Sequence, residues 1–340
     1  MDRGTIHDIN TRLRKMSPWA IIGTTMGVGI MSLFGVLAVN KPKNLSSRFI
    51  VNRVQHIVHP YKAGHTGTLD PLATGVLLLA IGNATKLVEF SLEMSKCYEA
   101  TFELGKTSDT LDCTGTVTEI ATGRIPSQSE LQSELSKWIG KVKQVPPQFS
   151  AVNVGGKRAY RMARKGIAFE LEAKDIEVYD IKLMEYQFPF FKLKIDCGSG
   201  TYVRSLGHDI ARGLGTGAIM TELTRTRSGT FELDACVEFD ELKSCVDIAP
   251  HLAAPERLLQ DWPFIPFDDA QVTELKHGKQ MHIAAAKGMD RIATFDPDNE
   301  LVGLMIRIQE SGLFRSVRVF NTIDDTPQPI ASSSKHSPES

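Results

Sequence analysis

The segment from Gly64 to Leu77 reads GHTGTLDPLATGVL and sets one carboxylate, Asp70, just ahead of an apolar run. Its three glycines permit sharp turns and close approach by a ligand. Pro71 biases Asp70 away from helical geometry and toward extended backbone. A carboxylate on a stiffened loop leading into a buried strand suits a nucleophile or a base. An ordinary Asp-Pro turn has the same residue pattern, so on these residues alone both readings stand. Glycine and threonine also suggest a phosphate cradle, but no Gly-Lys-Ser/Thr follows, and that reading is weak.

The second stretch with chemical character is basic. Gly156 to Gly166 carries Lys157, Arg158, Arg161, Arg164 and Lys165 and no acid. Read as a helix, Arg158, Arg161 and Lys165 line one side, which suits phosphate contacts that add affinity without choosing sequence. Such clusters are more often plain solvated faces. Arg225 and Arg227 either extend the basic surface or are structural.

These residues need a scaffold, and the pattern from Leu33 onward is mixed α and β. Val36 to Val39 reads as a strand, and Ser46 to Ile57 as a helix capped by Ser46 or Ser47. Gly64 to Thr74 reads as a loop and Val76 to Ile81 as a buried strand. Asn83 is expected to cap a short helix reaching about Leu92. In Cys97 to Leu104 the residues Tyr98, Ala100, Phe102 and Leu104 share one strand face. Ser127 and Glu130 form a capping-box signal for a helix through Trp138. Phe191 to Cys197 alternates again, and Val203, Leu206, Ile210 and Leu214 follow at helical spacing. Prolines interrupt the pattern between Pro250 and Pro266. Beyond them Val272 to Phe320 reads as one helix with three small strands, a size that suits a binding module. Asn321 to Ser340 is rich in Ser, Pro and Asp, and disorder is expected there.

Bulk composition narrows the field less. The 340 residues carry 39 Lys plus Arg against 40 Asp plus Glu, a net charge of −1 that neither announces nor excludes a nucleic-acid partner. The five cysteines form no CxxC pair, which argues against a disulfide framework and a zinc site and fits a reducing cytosol. Ala20 to Val39 is an uncharged run near membrane-spanning length. Four glycines, two threonines and a terminal part needed as a strand make a dispensable extension over residues 1–32 the better reading.

Together these segments resemble, in order, the blocks of the TruB-type pseudouridine synthases. The GHTGTLDPLATGVL loop matches that family's signature. Asn40-Lys41-Pro42 with Ser46-Ser47 is similar to its N-terminal box, and Lys96-Cys97-Tyr98 to its K-x-Y motif. Gly105 to Gly115, Val145 to Gly166, Gly200 to Gly215 and Leu223 to Phe231 resemble four further blocks. Asn44 departs from a frequent glycine, Cys97, Thr224 and Arg161 from other common residues, and none of the four touches the presumed chemistry.

The resemblance implies an α+β pseudouridine-synthase fold with a mixed, largely antiparallel central sheet. It implies a catalytic domain over residues 33–250, a small PUA-like RNA-binding module over residues 251–321 and a tail over residues 322–340. It assigns Asp70 as the catalytic carboxylate and Arg204 as its ion-pair partner, which lowers a carboxylate pKa. Tyr98 becomes the wall that stacks on the base; Tyr202 and Leu223 line the pocket. His65 occupies the space left by the flipped nucleotide, Lys41 belongs to the substrate side, and Lys157, Arg158, Arg161 and Lys165 meet the RNA backbone. The implied reaction turns the uridine at position 55 of the tRNA T loop into pseudouridine. Neither cofactor nor metal is expected; a cytoplasmic monomer acting on the T arm, off the membrane, is. A tRNA-binding or folding protein and a guide-RNA-dependent relative are the rivals.

Overall fold

The computed structural model describes residues 33–120 and 123–320. The extension over 1–32, most of the uncharged run and the tail from 321 lie outside the described residues.

Eight strands form the backbone of the main sheet: β1 (Gly35–Lys41), β2 (Thr74–Ile81), β3 (Lys96–Leu104), β4 (Gly140–Gln144), β5 (Lys174–Gln187), β6 (Phe190–Cys197), β7 (Ala218–Ser228) and β8 (Val237–Glu238). Their spatial order is β8-β1-β2-β7-β3-β6-β5-β4. Only β1 with β8 and β2 with β7 pair in parallel; the other neighbours are antiparallel. Among the described residues the α-helices of five or more residues are α1 (Ser47–Ile57), α2 (Gln128–Ser136), α3 (Ala159–Ala163), α4 (Val203–Gly213) and, near the C-terminus, α5 (Asp269–Lys276).

Sequence pattern and burial agree strand by strand. In β3, Tyr98, Ala100, Phe102 and Leu104 are buried while Glu99, Thr101 and Glu103 are half-buried, the expected alternation. β1 and β2 are apolar on both faces because they lie between two cores. Leu37, Val39, Leu77 and Leu79 join α1 and α4 on the front, and Val36, Ala38, Val76 and Leu78 point to the back. α4 packs tightly on β3 because residue 207 is glycine; a Cβ there would lie 1.9 Å from the Phe102 ring.

The back face holds the expected C-terminal module, a four-stranded sheet of β9 (Phe264–Pro266), β10 (Arg291–Phe295), β11 (Leu301–Arg307) and β12 (Phe314–Val319). Ala293, Phe295, Leu304 and Phe320 share a core with Val36, Val76, Leu78 and Trp262. An Arg291–Glu93 ion pair of 2.6 Å and an Arg318–Glu89 pair flank this seam.

Three local expectations are corrected. Gly82 to Glu93 is not one helix capped by Asn83 but two 3-10 turns, Gly82–Leu87 and Phe90–Glu93. The Thr85 and Ser91 hydroxyls donate to the carbonyls three residues back, at 2.7 and 2.6 Å, and so stabilise the tighter winding. The Gly64–Thr74 stretch is loop only between Thr66 and Ala73, since Ala63–His65 pairs with the end of β2 and Thr74 opens it. Nor is the basic stretch one helix. Lys157 and Arg158 form a hairpin strand against Asn153–Val154, and α3 has only five residues. Gly155 and Gly156 turn the hairpin with φ of +54° and +81°, a geometry that favours two glycines.

Candidate active site

The Asp70 loop is fastened from below at three places. Ser46 caps α1 by accepting from the Phe49 N–H at 3.1 Å, which leaves Ser47 free to face the loop. Its buried hydroxyl donates to Leu69 O at 2.9 Å and accepts from Leu69 N at 2.8 Å. Lys41 is fully buried and donates to Pro42 O at 2.8 Å, Leu45 O at 2.7 Å and Pro71 O at 3.3 Å. Asn44 adds its N–H to Pro71 O at 2.7 Å, from a left-handed backbone of φ +68° that asparagine tolerates. Arg225, 2 % exposed, reaches Val76 O with Nε at 2.6 Å and Gly67 O with Nη2 at 3.3 Å.

This overturns one expectation, for Lys41, and decides between the two left open for Arg225. All three ammonium protons of Lys41 are spent on backbone carbonyls, so it clamps the loop and does not face a substrate. Burial lowers its pKa to about 8, against the pull of nearby Asp70. Arg225 is likewise no part of a basic surface, because it is sealed under the loop.

Above this bed Asp70 meets Arg204 as the resemblance implies. Arg204 Nε lies 2.9 Å from Asp70 Oδ2, and Nη2 donates to Oδ1 at 3.3 Å, a two-point contact. The same guanidinium donates to Thr110 O at 2.8 Å and Phe149 O at 3.2 Å, and lies 3.7 Å from Asp112 Oδ2. One arginine at the start of α4 thus holds the loop, the Thr/Asp-rich hairpin and the segment before the basic hairpin. Asp112, buried and not singled out in the sequence, accepts at Oδ1 from Thr110 Oγ1, Thr114 N and Thr114 Oγ1 at 2.7, 2.9 and 2.6 Å. Its hydroxyl-rich surroundings were the signal available for it.

Arg204 does pull the Asp70 pKa down, but it does not win. Burial is the larger effect, Asp112 adds to it, and the carboxyl sits above the ordinary aspartate value. The Asp70 side chain is still a third exposed, yet enough protein surrounds its carboxyl for burial to outweigh the Arg204 charge.

Of the other expected residues, Tyr98 and Tyr202 stand near the pair: burial raises both hydroxyl pKa values, and the Asp70 charge adds to it. Tyr98 and Leu223 lie in the front core at 8 % and 7 % exposure, on adjacent strands. Tyr202 immediately precedes α4, half-buried, with its backbone N–H and carbonyl both held by the Gln144 amide at 2.8 and 3.1 Å. His65 Nδ1 is buried without a hydrogen-bond partner, and burial, then Arg225 and Arg48, lower its pKa. Lys157, Arg158, Arg161 and Lys165 stand apart, exposed on the hairpin and α3. They connect to the site through the chain: Tyr160 N donates to Ser150 O, one residue from the Phe149 carbonyl that holds Arg204. Among the described residues no three His, Cys, Asp or Glu side chains gather as metal ligands, and no helix is long and apolar enough to cross a membrane.

Comparison with known proteins agrees with this geometry. The model of the TruB family pseudouridylate synthase N-terminal domain matches residues 55–203, and that of the tRNA pseudouridylate synthase B C-terminal domain matches residues 204–261. The Asp70–Arg204 pair therefore joins the two matched segments. The tRNA pseudouridine synthase B of Bacillus pumilus is 36% identical over 286 residues, 80% of this chain and 93% of that protein. Its counterpart from Dehalococcoides mccartyi is 33% identical over 289 residues, 84% and 96% of the two chains. Among solved structures, a chain of a Cbf5-Nop10-Gar1 complex superposes with a TM-score of 0.64 at 26% identity, covering 85% of this chain and 84% of that one. The fold, the ordered motifs and these matches agree: the chain belongs to the TruB family of pseudouridylate synthases.

Proposed function

We propose that this protein converts uridine to pseudouridine at position 55 in the T loop of tRNA, as a cytoplasmic monomer, with Asp70 as its catalytic carboxylate. The observation that carries the reading is the two-point Asp70–Arg204 contact, with Tyr98 near enough to feel the Asp70 charge. Relatives 33% and 36% identical over most of this chain bear the name tRNA pseudouridine synthase B, which supports tRNA as the substrate.

The reaction balances without an outside reagent. The C1′–N1 bond breaks, a C1′–C5 bond forms, and the uracil loses a proton at C5 while N1 gains one. The target base must first leave its stack, at about a few kcal/mol, and less in a loop than in a duplex. A histidine whose ring nitrogen is buried and unpartnered suits the space such a nucleotide vacates. Once inside, the uracil lies against the Tyr98 ring with Leu223 and Tyr202 as walls. Asp70, oriented by the two-point Arg204 contact, either attacks the base or assists cleavage of the glycosidic bond. The exposed cations of the basic hairpin meet phosphates outside the cleft.

Mapping pseudouridine in an unmodified T-arm stem-loop after incubation with the purified chain tests this. Product at the T-loop uridine without guide RNA, and none with Asp70→Asn despite retained RNA binding, is expected. Turnover by Asp70→Asn, or a requirement for guide RNA, would sink it.

A further inference from the structure

Three cations are buried under the Asp70 loop and the strand beside it: Lys41 is 0 % exposed, Arg225 2 % and Lys96 8 %. Among the described residues no carboxylate lies within 4 Å of any of them. The sheet register lines two of them up with Tyr98. Lys41 on β1 stands opposite Gly75 on β2, Gly75 beside Arg225 on β7, and Arg225 opposite Tyr98 on β3. Lys41 and Arg225 are thus two strand spacings apart, about 10 Å, at a position where glycine puts no side chain between them. They hold Pro71 O and Gly67 O, carbonyls on either side of Asp70, so both lie under the loop. Lys96 precedes Tyr98 by two residues on the same face of β3, about 7 Å along the strand. It donates to Met94 O at 2.6 Å and Leu92 O at 3.2 Å. Anchoring alone does not call for charge, since Ser47 fastens Leu69 with a neutral hydroxyl. Carbonyl partners satisfy the N–H groups but leave the net charge in place, and a buried charge without a counter-ion is costly. With Arg204, four cations here face two carboxylates, Asp70 and Asp112. Burial, with Arg225 adding, brings the pKa of Lys41 and of Lys96 to about 8, so both stay charged at neutral pH.

We propose that Lys41, Arg225 and Lys96 form a positive floor beneath the base slot that stabilises the negative charge the uracil takes on as its bond to C1′ breaks. The proposal rests on the function given above. Breaking C1′–N1 sends the bonding pair to the uracil, which is an anion until a pair at C5 bonds C1′ and the C5 proton passes to N1. If Asp70 adds to the ring first, the displaced π pair carries the charge instead. On either route the ring is neutral on arrival and negative in the transition state, so a fixed positive field favours the transition state over the bound substrate. Such a field acts at strand-spacing distances because the intervening medium is protein and not water.

Two measurements on a T-arm stem-loop test the field apart from the anchoring. Arg225→Gln, which keeps an N–H donor for the loop carbonyls, and Lys96→Met each remove one charge. Each is expected to slow single turnover by about tenfold with RNA affinity little changed. The second measurement needs no turnover: a stem-loop with 5-fluorouridine at the target position is bound to Asp70→Asn, and its fluorine resonance is followed against pH. Removing a positive charge should raise the pKa of the bound ring by about one unit, the same factor of ten seen in the rate. Arg225→Gln is the cleaner variant there, because a guanidinium does not titrate in that range. Should one variant fail to fold, the other is read alone. Slower turnover with an unmoved ring pKa would show anchoring only and overturn the proposal, as would unchanged turnover. Absence of product from the unaltered protein would reject the functional reading and the proposal with it.

Discussion

Two short, glycine-containing loops flank the site and are built in opposite ways. The Thr66–Ala73 loop is held from below by Lys41, Ser47 and Arg225, all nearly sealed from solvent, which bond its backbone at Pro71, Leu69 and Gly67. The hairpin over residues 153–158, with α3, shows its cations to water. Arg158 bonds Ala151 O, and Arg161 and Arg164 lie over the Tyr160 ring at 5.9 and 5.8 Å. Reacting atoms must be placed within a fraction of an ångström, and buried polar side chains on backbone carbonyls supply that rigidity. Phosphate contacts tolerate displacement, and exposed surface cations supply them.

The largest difference is expected at the rigid loop itself. Asp70→Asn should lower turnover by about 10,000-fold while RNA affinity stays near that of the unaltered protein. Its stability behaves otherwise. The folded-state pKa of Asp70 is raised, so its contribution is fully present below the unfolded-state value and is lost as pH rises through the folded one. Asp70→Asn removes this titration, so its Tm relative to that of the unaltered protein should rise as pH rises through the folded value. A Tm difference that does not change with pH would contradict this account of the charge.

The fastenings come next. Ser47→Ala leaves Leu69 N and O without buried partners, at about 1–3 kcal/mol for each orphaned group. It should reduce both Tm and kcat, because the loss falls on the residue beside Asp70. Substitution of the cap, Ser46→Ala, should cost about 1 kcal/mol of stability and leave kcat alone. Chemical denaturation together with kcat for the two variants separates them; equal kcat in both would mean that the loop does not need its anchor.

How much of this contrast could be read before the coordinates were known differs between the loops. Asp70, Arg204 and Tyr98 were legible because a family pattern marked them, and the β3 alternation placed Tyr98 on an inward face. Lys41 was misread as substrate-facing. A lysine beside a proline has no local signature that tells an internal clamp from a ligand, and its three carbonyl partners converge only in the fold. Arg225 could not be decided between surface and structure for the same reason, since its partners lie about 150 residues away in sequence. The basic stretch was misread for a different reason. Its charges sit at helical spacing, but Gly155-Gly156 ahead of them is a hairpin signal that outranks the periodicity. Between residues 82 and 93 the threonine and serine hydroxyls, which compete for backbone carbonyls, were the overlooked signal.

A smaller effect concerns pH. Activity that needs ionised Asp70 should fall as pH drops through its raised pKa, at a higher pH than an ordinary aspartate would give. Asp112 contributes to that rise, so Asp112→Asn, which can keep the Thr110 and Thr114 hydrogen bonds at its amide oxygen, should move the acid limb of the rate profile to lower pH. An unmoved or upward-shifted limb would show that the field of Asp112 is not felt at Asp70.

The smallest change per residue is expected on the exposed side. Lys157→Gln and Arg161→Gln each remove an exposed cation with no acidic partner, and should raise KM by about two- to fivefold apiece with kcat unchanged. If each contacts a phosphate, the slope of log affinity against log salt should flatten by about 0.7–0.9 per residue. Ionic strength is the sharper measurement, because simple damage to the hairpin would raise KM without altering the slope. A steep fall in kcat from either substitution would remove the contrast between the loops, since it would make the hairpin part of the positioning apparatus and not a phosphate grip.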